Sequence, residues 1–163
     1  MFRPKPPSTS GRLRNNSVRL NSGRISRLCR KTEISTRSGR RYARPSEGAE
    51  VTMAAVVTGD ETVIAASQGR RAMVAKVDEI NFLSGPGKGV LLIKLEKGDK
   101  LLAAITATSD RDTLTVKTSM GGEQRLNTGR YKVTGRGGRG HEFVSRGQIV
   151  EVIYQPVAAP APL

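Results

Sequence analysis

From Glu47 onward the chain alternates short apolar runs with glycine-bearing gaps. The runs are VTMAAVV (51–57), TVIAAS (62–67), RAMVAKV (71–77), VLLIKL (90–95), LLAAITA (101–107), TLTVKT (113–118) and QIVEVIY (148–154). Between them lie Thr58-Gly59-Asp60, Gln68-Gly69, Lys97-Gly98-Asp99 and Met120-Gly121-Gly122. Runs this short, bounded by turn residues, predict a β-meander. Because successive strand residues point to opposite faces, Leu91, Ile93 and Leu95 should share one face, as should Leu114 and Val116. No segment carries a sustained helical stripe, so the expected fold class is all-β.

The pattern also repeats. EGAEVTMAAVVTGDETV from Glu47 aligns with KGDKLLAAITATSDRDTL from Lys97, and INFLSGPGKGV from Ile80 aligns with YKVTGRGGRGH from Tyr131. The second alignment lays Gly87-Lys88-Gly89 on Gly138-Arg139-Gly140. A period of about 50 residues in β-type sequence predicts propeller-like blades of about four strands each. Two units are expected, about 47–96 and 97–154 within a region 47–155, followed by a Pro/Ala-rich C-terminal tail at 156–163.

Residues 1–46 read differently. They hold 13 Lys/Arg against a single acid, Glu33, with Ser and Pro abundant and apolar residues too scattered to form a face. Such a segment buries too little surface to offset its ordering entropy, and disorder is the expectation. Its roles could be a nucleic-acid-binding arm, an Arg/Ser-rich transit peptide, a reading-frame artefact, or none. The formal net charge of +14 points to a polyanionic partner. Most of that excess lies in the tail, because residues 47–163 carry 15 bases against 13 acids.

Cys29 is the sole cysteine and His141 the sole histidine. That removes an intrachain disulfide, a cysteine-based metal cluster and most histidine chemistry. No apolar run is long enough to span a membrane, and no signal-peptide core follows the N-terminal bases. A reducing, cytoplasmic setting is therefore expected, with organelle targeting by the tail as the alternative.

The order GDETVIAASQGRRAMVAKVDEI, then LSGPGKGVLLIKLEKGDKLLAA, then YKVTGRGGRG resembles the C-terminal domain of the DNA gyrase A subunit and its topoisomerase IV relative, over about residues 48–153. The resemblance implies a β-pinwheel, here partial, that binds and bends duplex DNA. It implies catalysis, ATP and magnesium on other domains or subunits of a type IIA topoisomerase, and possible partnership with a gyrase B-type subunit. Gyrases carry a box of the form Gln-Arg-Arg-Gly-Gly-Arg-Gly. Against it, Arg136, Gly137, Gly138, Arg139 and Gly140 agree, whereas Thr134 and Gly135 replace the first two residues.

The glycine loops carry the candidate chemistry. Without Cβ atoms, Gly87, Gly89, Gly135, Gly137, Gly138 and Gly140 can bring backbone N–H groups against phosphate, and interleaved cations add charge. The expected DNA contacts are Lys88 in the first unit and Arg136 and Arg139 in the second. Arg130, Lys132, Arg70 and Arg71 support them. The competing reading is surface charge for solubility and for blunting strand edges. His141 carries little weight, and Tyr131 and Tyr154 read as packing residues. Tyr42 beside Arg41 has no structural context for nucleophilic work. Neither a nucleophile, a carboxylate set for metal nor an ATP motif is found, so no cofactor is expected in this chain. Two rivals stand beside DNA binding: a small ribosomal or RNA-binding β-protein, and an inactive structural fragment.

Overall fold

The computed structural model describes residues 16–21, 24–29, 45–83 and 88–153. They form β1 (Asn16–Asn21), β2 (Arg24–Cys29), β3 (Val51–Val57), β4 (Thr62–Ser67), β5 (Arg71–Lys76), β6 (Phe82–Leu83), β7 (Val90–Leu91), β8 (Leu101–Ala107), β9 (Leu114–Thr118), β10 (Glu123–Leu126), β11 (His141–Glu142) and β12 (Ile149–Ile153). One 3₁₀ turn, Val77–Glu79, follows β5. The all-β expectation holds.

Three sheets share one construction rule. In the first, the β1–β2 hairpin carries β3 on its outer side, and β6 and β7 pair with β2. In the second, the β4–β5 hairpin carries β8 on one side and β11 on the other. In the third, the β9–β10 hairpin carries β12. The flanking strand always comes from the stretch after the hairpin, so strands are shared across sequence units. The sheets therefore do not follow the boundary expected near residue 96: β8, from the second unit, completes the sheet of the first. Among the described residues the three sheets form an open array.

The first sheet also corrects the reading of the N-terminal segment. Asn16–Asn21 and Arg24–Cys29, inside the stretch expected to be disordered, form a hairpin paired with β3 along its length, Asn16↔Val57 through Leu20↔Met53. Ile25 is fully buried. By itself the hairpin has too few apolar residues to hold together, and isolated hairpins are marginal in water. Here β3 and the adjoining core supply what its own sequence lacks.

Two apolar cores lie on the two faces of the second sheet. Val63 and Ala65 of β4 with Met73 and Ala75 of β5 meet Ile25 and Val57 of the first sheet, while Ile64, Ala66, Ala72 and Val74 meet Leu114, Val116, Leu126 and Ile149 of the third. Burial on both faces explains why β4 and β5 read as near-continuous apolar runs rather than alternating ones. Leu114 and Val116 share a face as expected. The run at 90–95 does not stay a strand. Pairing with β2 ends at Leu91, after which Leu92 and Ile93 are both fully buried, so the alternating face predicted for Leu91, Ile93 and Leu95 does not form.

The turns between β3 and β4 and between β8 and β9 are closed by carboxylates. Glu61 accepts from the Thr58 backbone N–H (2.6 Å), the Thr58 hydroxyl (2.8 Å) and the Gly59 N–H (2.8 Å). Asp112 plays the same part for the N–H groups of Thr108 (2.8 Å) and Ser109 (2.9 Å).

Candidate nucleic-acid interface

The second glycine loop is laid along β5 and fixed there by its backbone. Thr134 N–H donates to the Val74 carbonyl (2.9 Å), Gly137 N–H to the Leu92 carbonyl (2.6 Å), and the Gly138 carbonyl accepts from Lys94 N–H (2.8 Å). His141 and Glu142 then pair with Ala72 and Arg71. The loop thus ends as the fourth strand of the second sheet, as the first loop ends in β7 on β2. The equivalence matches the sequence repeat, Val90 falling on His141.

Why glycine is required is clearest at Gly140. Its φ is +71°, and a Cβ there would run into the Ala72 carbonyl group, with the carbonyl carbon at 2.9 Å. Gly89, Gly135 and Gly137 also adopt positive φ, and Gly138 sits over the end of Met73. Gly87 lies outside the described residues. Gly138 and Gly140 therefore serve close packing against β5, Gly135 and Gly137 serve the positive φ of the turn, and the Gly137 N–H is committed to Leu92. The expected use of loop N–H groups as an open phosphate cradle is to that extent replaced by internal hydrogen bonding.

The basic side chains remain on the outside. Arg136 is exposed and anchored at its base, its Nε donating to the Glu79 carbonyl (3.0 Å) and its backbone N–H to Glu79 Oε2 (3.2 Å). Arg139 and Lys132 are exposed, and neither is in an ion pair among the described residues. Arg130 stacks near Tyr131, its guanidinium carbon 5.7 Å from the ring centroid. Tyr131 in turn lies 6.3 Å from the His141 ring, whose Nε2 is 3.3 Å from the Lys132 carbonyl oxygen. Arg70 reaches the Ser145 carbonyl (3.2 Å) and Glu142 (3.7 Å). The edge formed by β5, β11 and the loop therefore gathers Arg70, Arg130, Lys132, Arg136 and Arg139.

Two expected contacts are placed differently. Arg71 faces Glu96 at 3.5 Å, an ion pair that offsets its charge. Lys88 is exposed but belongs to the corresponding edge of the first sheet. There Arg24, within the stretch expected to be disordered, donates from Nη2 to the Gly89 carbonyl (2.7 Å) and from Nε to those of Lys88 and Gly89 (both 3.2 Å). Glu79 was likewise missed. Both act by holding the loops through contacts more than 50 residues apart, which leave no local signal.

A hairpin, a flanking strand from the next stretch, and a glycine loop returning to the hairpin define an open array of the propeller type. That fold is the β-pinwheel of the C-terminal domains of DNA gyrase A and topoisomerase IV. The topoisomerase IV C-terminal domain matches with a TM-score of 0.71 and 15% identity, over 91% of this chain and 48% of that one. The DNA gyrase A C-terminal domain matches at 0.69 and 21%, over 91% and 52%. The E. coli ParC C-terminal domain matches at 0.63 and 14%, over 87% and 62%. The chain thus spans roughly half the length of these solved chains, from 48% to 62%. No protein-family model matches the sequence, and no curated protein does.

Proposed function

We propose that this chain binds and bends duplex DNA without reading its sequence, as the C-terminal part of a type IIA topoisomerase A subunit. Breakage, rejoining and ATP hydrolysis would then lie on other domains and on a gyrase B-type partner, in the cytoplasm. The observation that carries the reading is the β5–β11 edge, where a loop pinned by its backbone holds Arg130, Lys132, Arg136 and Arg139 outward. Held cations of this kind suit phosphate, which fixes position and carries no base information. If about five phosphates are neutralised, log affinity falls against log salt with a slope of about −4 to −5. Bending 20–30 base pairs costs about 1–6 kcal/mol by elastic estimates, which two neighbouring basic edges, at Lys88 and at Arg139, would offset.

The test is a double charge reversal, Lys132→Glu with Arg139→Glu, in the full chain. Among the described residues neither side chain is in an ion pair, so the pairing of the sheets is spared. Mobility shift on a linear duplex should show affinity reduced about tenfold or more, since contacts to charged groups contribute on the order of 1.5–3 kcal/mol each. End-to-end energy transfer should show less bending. Unchanged duplex affinity and curvature, or a strong preference of the wild type for structured RNA, would overturn the proposal.

A further inference from the structure

Each sheet of the array presents one face to the sheet that follows it, and cross-strand rows can be compared position by position. The register Ala66↔Ala72 and Ala66↔Ala103 makes one row of the second sheet, Ala72–Ala66–Ala103, and all three residues are fully buried against the third sheet. The next row on that face is Val74–Ile64–Ile105, with Val74 and Ile64 fully buried. In the first sheet the matching row is Ile25–Leu20–Met53, apolar throughout. The third sheet breaks the rule. Its matching rows are Glu123–Lys117–Glu151 and Arg125–Thr115–Ile153.

We infer that the third sheet is the terminal cap of the array: its outer face is a finished, water-facing surface on which no further sheet stacks. The face is satisfied as it stands. Lys117 Nζ donates to Glu151 Oε2 at 3.0 Å, and Glu123 and Arg125 are exposed. The hydrogen bond and charge of Glu151, reinforced by Glu123, hold the Lys117 ammonium above its ordinary range. Packing another apolar sheet here would strip water from four charges and leave them without new partners, a penalty that burial of Ile153 and of the exposed bulge residue Val150 cannot offset. Stacked-repeat proteins need such polar end units because an exposed apolar repeat face recruits further copies. Any segment or partner that extends this array must therefore join at another surface.

Two measurements on the full chain test the cap. In the first, Lys117→Cys and Ala66→Cys are labelled separately with a water-soluble maleimide, and peptide mass spectrometry separates each site from native Cys29. Lys117→Cys should react at least about 100-fold faster than Ala66→Cys. In the second, Lys117→Ala, Glu123→Ala, Arg125→Val and Glu151→Ala are combined, recreating the chemistry of the second sheet. This uncapped chain should self-associate, its sedimentation coefficient rising with concentration in a range where the wild type stays constant. A Lys117→Cys as protected as Ala66→Cys would overturn the inference, and so would an uncapped chain that sediments like the wild type at every concentration.

Discussion

A single methyl group at Gly140 tests whether the second glycine loop is a packed element of the sheet. Gly140→Ala adds a Cβ at φ +71° directly against the Ala72 carbonyl, which belongs to β5 and cannot rotate away without breaking its ladder to β4. The left-handed conformation costs a non-glycine residue about 1–2 kcal/mol. The forced displacement of backbone adds about 1–3 kcal/mol by analogy with overpacked cores. The expected loss is therefore about 2–5 kcal/mol. The control is Gly137→Ala, where φ is +88° but a Cβ would meet nothing within 4 Å, so only the conformational part, about 1–2 kcal/mol, applies. Urea unfolding followed by circular dichroism reads both. With a slope of about 2 kcal/mol per molar, Gly140→Ala should lower the midpoint by about 1–2.5 M and Gly137→Ala by less than about 1 M. Equal shifts for the two variants would show that the loop does not press on β5, and the pinned-loop account of the basic edge would fall with it.

Four further outcomes follow from the same geometry. Burial by itself would raise the Glu61 carboxyl, but the hydrogen bonds from Thr58 and Gly59 outweigh it and leave the group below its ordinary range. Its stabilisation is full above that range and fades as pH falls through the lowered value; Glu61→Gln should cost about 1–3 kcal/mol near neutrality and make stability less dependent on pH as it falls through and below the ordinary carboxylate range, read from urea midpoints. Asp112, held low mainly by the Ser109 and Thr108 N–H groups, has the same sign, so Asp112→Asn should also flatten the acid limb, by a smaller amount because the carboxylate is more exposed. Arg24→Ala removes the side chain that grips the Lys88 and Gly89 carbonyls, and amide hydrogen exchange at Val90 and Leu91 should quicken while β4 and β5 keep their protection. Deleting residues 1–46 should lower the unfolding midpoint rather than leave the body intact, because the cut removes β1, β2 and buried Ile25.

Local sequence decided which segments can be strands. The runs at 51–57, 62–67 and 101–107 coincide with β3, β4 and β8 because alternation, β-branched residues and flanking glycines act within a few residues of one another. The repeat of about 50 residues likewise exposed the equivalence of the two glycine loops, since equal local chemistry at equal spacing is written in the chain itself. What remained illegible rests on distant pairing. Asn16–Cys29 becomes a hairpin because β3 lies beside it; β11 is two residues long and exists because Gly140 fits over Ala72; Arg136 is aimed by Glu79. The order of charge on the third sheet was present in the sequence, yet Glu123, Lys117 and Glu151 form a row only once β9, β10 and β12 are in register. Composition set the material of each strand, whereas the partner across the ladder, fixed by burial on both faces of the second sheet, decided which residues meet water and which meet one another.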